Sequence, residues 1–222
     1  MKSGLKMTEK KIERCEVVLY SEATLPTRSG EFRMLAFRTN YDEFEHLALI
    51  FGELGNGSGA PLTRVHSECL TGEVFGSLRC DCKSQLELAM ERIAYAGSGL
   101  IVYLRQEGRG IGLGNKLKAY NLQDNGVDTY SANEILGFPA DMRRYDLAAA
   151  ILAYLGVAEV RLMTNNPAKV RGVEANGIKV VERVPILVAP NEFNIAYLRA
   201  KHEKQGHIIT NLSDGKIEPT EH

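Results

Sequence analysis

The sequence Arg64-Val-His-Ser-Glu-Cys-Leu-Thr-Gly-Glu-Val-Phe-Gly-Ser-Leu-Arg-Cys-Asp-Cys82 holds three of the four cysteines in the chain, Cys69, Cys80 and Cys82. Their C-x10-C-x-C spacing predicts a metal site, because thiolates are the soft ligands that zinc and iron–sulfur clusters prefer. Three protein ligands would leave a fourth tetrahedral position to water, as a catalytic zinc requires. The spacing also leaves open a closed structural site, completed by Cys15 or His66.

The composition is that of an ordinary globular protein. The chain has 222 residues, of which 44% are hydrophobic and 25% are charged, which suits one domain with a substantial core. A formal net charge of −1 argues against a general nucleic-acid-binding surface. No apolar run is long enough to span a membrane, and no apolar signal-peptide core is evident near the N-terminus. The clustered cysteines indicate reduced thiols and therefore a cytoplasmic location.

Hydrophobic periodicity predicts an α/β fold, with a mixed β-sheet flanked by helices in a single compact domain. Strands are predicted at residues 15–20, 31–39, 45–54, 61–66, 100–104, 160–164 and 178–184. Helices are predicted at residues 85–96, 116–124, 145–155, 167–176 and 192–204, with 128–136 as a connector. The domain is expected to span residues 15–207, between an N-terminal extension (1–14) and a flexible C-terminal tail (208–222).

A second distinctive stretch, Arg105-Gln-Glu-Gly-Arg-Gly-Ile-Gly-Leu-Gly-Asn115, follows the predicted buried strand at 100–104. It matches neither the dinucleotide-binding fingerprint nor the phosphate-binding loop of nucleotide hydrolases. Glycines after a strand allow backbone N–H groups to approach an anion, and Arg109 would add a fork of donors. The alternative is a flexible loop with a solvated arginine. A third candidate anion site is the start of the helix after Thr164, where Asn166 suits the cap and Pro167 the first turn.

The motifs R-V-H-S-E-C-L-T-G-E-x-F-G-S-L-R-C-D-C and R-Q-E-G-R-G-I-G-L resemble the signatures of GTP cyclohydrolase II, and the resemblance extends over most of residues 20–207. It implies a zinc-dependent hydrolase that opens the guanine ring of GTP and releases formate. It also implies release of pyrophosphate with magnesium, in the first committed step of riboflavin biosynthesis. The family is typically a homodimer, and we expect the same here. The additional N-terminal domain of some members is not evident, so we expect one activity.

The resemblance also assigns roles to individual residues. It implies that one zinc ion per subunit is bound by Cys69, Cys80 and Cys82. It implies that GTP is contacted by Arg64, Val65, His66, Ser67, Glu68, Gln85, Glu107, Gly108, Arg109, Thr129, Thr164 and Lys169. The catalytic residues it implies are a proton acceptor, a nucleophile and a tyrosine at the ring-opening site, namely Asp141, Arg143 and Tyr120.

Several of these residues have simpler interpretations. Asp141 precedes a predicted helix and could be its N-cap, and Tyr120 could merely pack in an amphipathic helix. A guanidinium is rarely a nucleophile, because its pKa lies above about 12. Arg143 could therefore clamp the α-phosphate while water attacks. Other residues are expected to have no role in the site: Cys15 as a small buried residue, and Arg144, His46, His202, His207 and His222 at the surface.

Two other classes of protein compete with this interpretation. A GTP-binding regulator with a structural zinc would bind GTP without releasing formate, although Asp141, Arg143 and Tyr120 are all present. A zinc nucleobase deaminase would carry H-x-E followed by P-C-x-x-C. His66 and Glu68 form H-x-E here, but no P-C-x-x-C follows, which argues against a deaminase.

Overall fold

The computed structural model describes residues 15–55, 59–139, 141–195, 198–199 and 208. The predicted extension at 1–14, most of the helix predicted at 192–204 and nearly all of the tail predicted at 208–222 lie outside these residues. His202, His207 and His222 lie outside them as well. Within the described part of the chain, no helix has the length and apolar character needed to cross a membrane.

The described residues form one sheet with helices on both of its faces. The strands are β1 (Val17–Thr27), β2 (Gly30–Thr39), β3 (His46–Phe51), β4 (Leu62–Ser67), β5 (Gly99–Leu104), β6 (Glu159–Met163) and β7 (Lys179–Val184). The helices are α1 (Leu70–Glu73), α2 (Cys82–Tyr95), α3 (Leu113–Asp124), α4 (Thr129–Ile135), α5 (Asp146–Tyr154) and α6 (Pro167–Glu174). A single 3-10 turn covers Glu107–Gly110.

The sheet has seven strands in the order β1-β2-β3-β5-β4-β6-β7, which confirms the predicted mixed α/β architecture. The first four in this order are antiparallel neighbours, whereas β5, β4, β6 and β7 run parallel. Parallel strands have their carboxyl ends at the same edge of a sheet, where ligands of α/β proteins usually bind. The metal motif follows β4 and the glycine-rich loop follows β5, so the topology brings the two motifs together.

Apolar residues bury both faces of the sheet. On one face, α5 and α6 pack on the strands through Leu147, Ile151, Leu152 and Val173. On the other face, α2 contributes Ala89 and Ile93. The cap of α6 is as predicted, because the Asn166 side chain accepts a hydrogen bond from the Ala168 N–H, 2.9 Å away.

Two predictions about secondary structure were wrong. The first strand is longer than predicted and continues through Pro26 to Thr27. The strand lies at the edge of the sheet, where the missing backbone N–H of Pro26 is tolerated. Residues 128–136 contain helix α4 instead of a connector. The Asp128 carboxylate accepts hydrogen bonds from the N–H and hydroxyl of Ser131 at 3.3 and 2.5 Å, which is the pattern of an N-cap.

One prediction about a single residue was also wrong, and one alternative interpretation is excluded. His46 is fully buried instead of lying at the surface. Its Nε2 lies 3.3 Å from the Asp42 carboxylate and its Nδ1 accepts from the Arg105 N–H at 3.1 Å. Asp141 is not the N-cap of α5, since Tyr145 occupies that position. Cys15 is partly buried and packs against the core, close to the prediction.

Candidate functional site

A cleft of about 550 Å³ opens at the carboxyl edge of the parallel strands. Ten of the predicted site residues line it: Ser67, Glu68, Cys69, Cys80, Cys82, Glu107, Gly108, Arg109, Tyr120 and Arg143. They come from the metal loop after β4, the glycine-rich loop after β5, helix α3 and the segment before α5. The fold therefore brings the cysteine motif and the glycine-rich motif together with Tyr120 and Arg143, whereas the third candidate anion site, at the start of α6, does not line the cleft.

The three clustered cysteines form a site of the right size for a metal ion. Their Sγ atoms lie within 4.8 Å of one another, and those of Cys69 and Cys80 are 3.6 Å apart. Tetrahedral zinc with Zn–S bonds of about 2.3 Å would place two sulfur atoms about 3.8 Å apart. Among the described residues, no other histidine, cysteine or carboxylate joins this group. The arrangement fits a three-ligand site that opens on the cleft.

The charges in the cluster also favour a cation. Hydrogen bonds from the thiols of Cys80 and Cys82, together with the Lys116 ammonium, lower the pKa of Cys69 well below its usual range. The same sharing raises the pKa of Cys80 to about 11 and raises that of Cys82 as well, with burial adding to both. A thiolate shared with two thiols in this way is a ready acceptor for a metal ion, which replaces the remaining protons.

Gly72 leaves room for the sulfur atoms, because a Cβ at this position would lie 2.7 Å from Cys80 Sγ and 3.3 Å from Cys69 Sγ. We expect Gly72→Ala to weaken zinc binding by about 10-fold or more, the scale seen when groups around a metal site are disturbed. Competition with a chromophoric chelator measures this. The control is Gly114→Ala in α3, where the added Cβ meets nothing within 4 Å. Equal zinc affinity in Gly72→Ala and the unaltered protein would contradict this use of Gly72.

The metal loop is anchored from behind by a buried carboxylate. Glu73 accepts hydrogen bonds from the Cys69 N–H at 3.0 Å and from the Tyr103 hydroxyl at 2.6 Å. Its Oε1 also lies 2.8 Å from His66 Nε2. Burial, with the nearby Arg64 charge, lowers the pKa of His66 to about 4 despite this carboxylate. His66 is therefore neutral at pH 7. Its Nε2 is held by Glu73 and no ring nitrogen of His66 joins the cysteine cluster, so His66 holds the loop and is not the fourth metal ligand in this arrangement.

The glycine-rich loop has an unusual backbone. Arg109 has a φ of 62° and is the one non-glycine residue with positive φ in the described part of the chain. The N–H groups of Gly108, Gly110 and Gly112 all donate within the loop. These three N–H groups were predicted to bind an anion, but in the structure they are already used in hydrogen bonds that shape the loop. The Arg109 side chain, which lines the cleft, is the better candidate for an anion contact.

Arg143 lies in the segment before α5, which contacts the glycine-rich loop. The Met142 N–H donates to the Arg109 carbonyl at 3.0 Å, which ties the segment before α5 to the glycine-rich loop. Arg143 donates to both oxygens of Asp141, from Nε at 2.9 Å and from Nη2 at 2.5 Å. Burial alone would raise the pKa of Asp141, but this arginine lowers it below its usual range. Asp141 is therefore an ionised carboxylate that orients Arg143 in the cleft.

Tyr120 projects from α3 into the cleft. The Arg79 guanidinium lies over its ring at 4.9 Å and also pairs with Asp124 at 2.9 Å. Burial raises the pKa of Tyr120, although Thr71 and the Lys116 ammonium oppose that shift. A neutral hydroxyl next to the thiolates can donate or accept a hydrogen bond. Its place in the wall of the cleft argues against a purely packing role.

Two predicted contacts lie in the cleft with partners from the segment that follows β5. The Ser67 hydroxyl accepts from Gln106 Nε2 at 2.9 Å. The Glu68 carboxylate accepts from Arg105 Nε at 3.0 Å. Because β4 and β5 are parallel neighbours, these two hydrogen bonds connect the carboxyl end of β4 to the segment that follows β5. Glu68 is thus held as an oriented acceptor at the mouth of the metal site.

Most of the other predicted contacts lie behind the wall of the cleft. Arg64 is buried, donating to the Met163 carbonyl at 2.9 Å and to Gln85 Oε1 at 2.6 Å. Burial lowers its pKa to about 10. Lys169 donates to the Val65 carbonyl at 2.8 Å. Thr164 accepts from the Asn166 N–H at 3.0 Å. Thr129 begins α4, and its side chain lies outside the part of the chain that the structure describes.

Sequence reasoning missed two residues at this site, Glu73 and Lys116. Glu73 lies four residues after Cys69, so one helical turn brings its carboxylate back to the first ligand. Lys116 is buried on α3 while its neighbour Leu117 is half-exposed. This inverts the usual pattern of an amphipathic helix. Because this burial is seen only in the structure, the sequence offered no signal for Lys116.

Comparison with known proteins agrees with the geometry. The family model described as GTP cyclohydrolase II matches residues 18–185. A GTP cyclohydrolase-2 of Shewanella amazonensis is 55% identical over 186 residues, covering 84% of this chain and 90% of that protein. A riboflavin biosynthesis protein RibBA of Mycobacteroides abscessus is 52% identical over 87% of this chain. The chain spans only about half of that relative's length, 48%.

Proposed function

This chain belongs to the GTP cyclohydrolase II family, and from that premise we propose the reaction that it catalyses. The substrate is GTP, and the products are 2,5-diamino-6-(5-phosphoribosylamino)pyrimidin-4-one, formate and pyrophosphate. The reaction is the first committed step of riboflavin biosynthesis. The observation that supports it best is that the three cysteine side chains open on the same cleft as Tyr120, Arg109 and Arg143. One end of the cleft suits the guanine ring and the other the phosphates.

Cys69, Cys80 and Cys82 would hold one zinc ion. A zinc ion held in this way would activate water at neutral pH for attack on guanine C8, because zinc lowers the pKa of bound water to about 7. Tyr120 would hydrogen-bond the purine as the imidazole ring opens. Glu68, fixed by Arg105, would accept hydrogen bonds from the polar edge of the base. Ser67 and Gln106 complete this end of the cleft.

Arg109 and Arg143 would bind the phosphates, which enter as the magnesium complex of GTP. A guanidinium donates two parallel hydrogen bonds to phosphate, which fixes both position and orientation. The Asp141–Arg143 pair is already formed, so Arg143 meets the α-phosphate with little loss of side-chain freedom. We assign Arg143 as a clamp that stabilises charge while water attacks. Asp141, acting as its orienting partner, would also accept the proton of that water.

The remaining contacts would act from the second layer. Six of them lie around the carboxyl ends of β4 and β6: Arg64, Val65, His66, Gln85, Thr164 and Lys169. We propose that they set the floor on which the nucleotide binds, with Thr129 contributing from α4. The protein would work in the cytoplasm as a homodimer, without nucleic acid or membrane partners.

Product analysis tests the whole proposal. Zinc-loaded protein incubated with GTP and magnesium should release formate and pyrophosphate in equal amounts, with the absorbance change of a diaminopyrimidine. Bound GTP without any product would instead support the alternative, a regulator with a structural zinc. Pyrophosphate release with an intact guanine ring would support the proposed phosphate-binding role of Arg109 and Arg143. It would contradict the proposed role of the three cysteines in ring opening.

A further inference from the structure

Lys116 is a buried lysine whose side chain reaches the metal ligands from α3. Its Nζ lies 3.2 Å from Cys69 Sγ, 2.8 Å from Thr71 Oγ1 and 2.8 Å from Glu107 Oε1. An ammonium group has three N–H donors, so each one has an acceptor within the protein. Lys116 lines the cleft, but its donors are committed, and it is poorly suited to bind a phosphate.

Glu107 holds this lysine and joins two loops. Its Oε1 accepts from Lys116 Nζ at 2.8 Å and from the Gly108 N–H at 2.7 Å. Its Oε2 accepts from the N–H of Leu70, the residue after Cys69, at 2.7 Å. The side chains of Lys116 and Glu107 are each only 10% exposed. The ion pair is therefore shielded from solvent, and its geometry is fixed by hydrogen bonds at both ends.

We propose that Lys116, held by Glu107 and Thr71, is a positioning residue that fixes the Cys69 thiolate and limits its electron donation to a bound metal. A charge-assisted hydrogen bond to sulfur withdraws electron density from it. A less donating thiolate leaves the metal more electrophilic, and partners beyond the ligands commonly tune metal sites in this way. The inference rests on the proposed metal site but assigns a role to residues outside the three ligands.

Cobalt(II) in place of zinc makes this role visible, because thiolate-to-cobalt charge transfer absorbs in the near ultraviolet. Lys116→Met keeps the length of the side chain and removes the ammonium. We expect its cobalt charge-transfer band to move to longer wavelength, because a sulfur that has lost its hydrogen bond gives up electron density more easily. We also expect zinc affinity to fall by about 10–100-fold, measured by chelator competition, because losing the group that fixes the Cys69 sulfur outweighs its stronger electron donation.

Two further variants make the result decisive. Lys118→Met removes an exposed lysine from the same helix and should leave both the band and the zinc affinity unchanged. Glu107→Gln keeps the shape of the side chain but removes its charge, so it should shift the band in the same direction by less. It also serves if Lys116→Met does not fold, in which case an unshifted band in Glu107→Gln overturns the proposal.

The outcomes separate this inference from the proposed function. A lower melting temperature in Lys116→Met, with an unchanged band and unchanged zinc affinity, would show a purely structural lysine and overturn the inference alone. Absence of any thiolate-to-cobalt band in the unaltered protein would overturn the metal site itself and the inference with it. A shifted band in protein that releases no formate would support the inference while contradicting the proposed reaction.

Discussion

Replacing Cys80 with serine is expected to remove bound zinc and abolish formate release from GTP. The Cys80 sulfur lies 3.6 Å from that of Cys69, and a neutral hydroxyl cannot replace the thiolate that zinc prefers. The loss should exceed the roughly 10–100-fold effect of changing an outer-shell partner. Metal content by mass spectrometry and an enzyme-coupled formate assay measure the two effects. Pyrophosphate release would persist only if it is separable from ring opening.

The chain offers a matched control in its fourth cysteine. Cys15 is partly buried against the core, remote from the cluster. Cys15→Ser makes the same chemical change, and it should keep one zinc per chain and normal formate release. If Cys80→Ser were fully active and zinc-replete, Cys80 would not be a ligand. If Cys15→Ser lost zinc, the closed four-ligand alternative would regain support.

The sequence was sufficient to predict the cysteine cluster and the order of most elements. Cys69, Cys80 and Cys82 lie in one short stretch, so their spacing alone carries the signal. The parallel half of the sheet was predictable too, because β6, α6 and β7 carry clear periodicity with a cap at Asn166. These features depend on local sequence, which is what a single chain displays most directly.

Features that depend on distant partners were not predictable. The contacts of Cys69 with Lys116 and of Leu70 with Glu107 join residues 47 and 37 positions apart. No local sequence pattern predicts these two contacts. The polar end of β1 is a strand because it pairs with β2 as far as Thr27. His46 is buried because Asp42 and the Arg105 N–H satisfy both of its ring nitrogens.

Replacing Arg143 with alanine should reduce pyrophosphate release by about 10²–10³-fold, the cost of removing one donor that stabilises developing charge. Its side chain is only 12% exposed and lines the cleft. Formate release should fall as well if attack on the phosphate comes first. Arg144→Ala is the control, because Arg144 pairs with Asp146 and covers the Tyr41 ring at 3.7 Å. Normal formate release from Arg143→Ala would remove Arg143 from any obligatory first step.

The role of Arg143 as clamp or nucleophile can be separated by trapping. Asp141 engages Nε and Nη2 of Arg143, and it stabilises the charged guanidinium, whose lone pair is delocalised and weakly nucleophilic. A clamp therefore predicts no covalent label on the protein after a single turnover with α-labelled GTP, quenched in alkali to preserve phosphorus–nitrogen bonds. Label on the unaltered protein that is absent from Arg143→Ala would establish the nucleophile instead. Arg143→Lys should retain part of the activity of a clamp, because a lysine keeps the charge but loses the two-pronged contact.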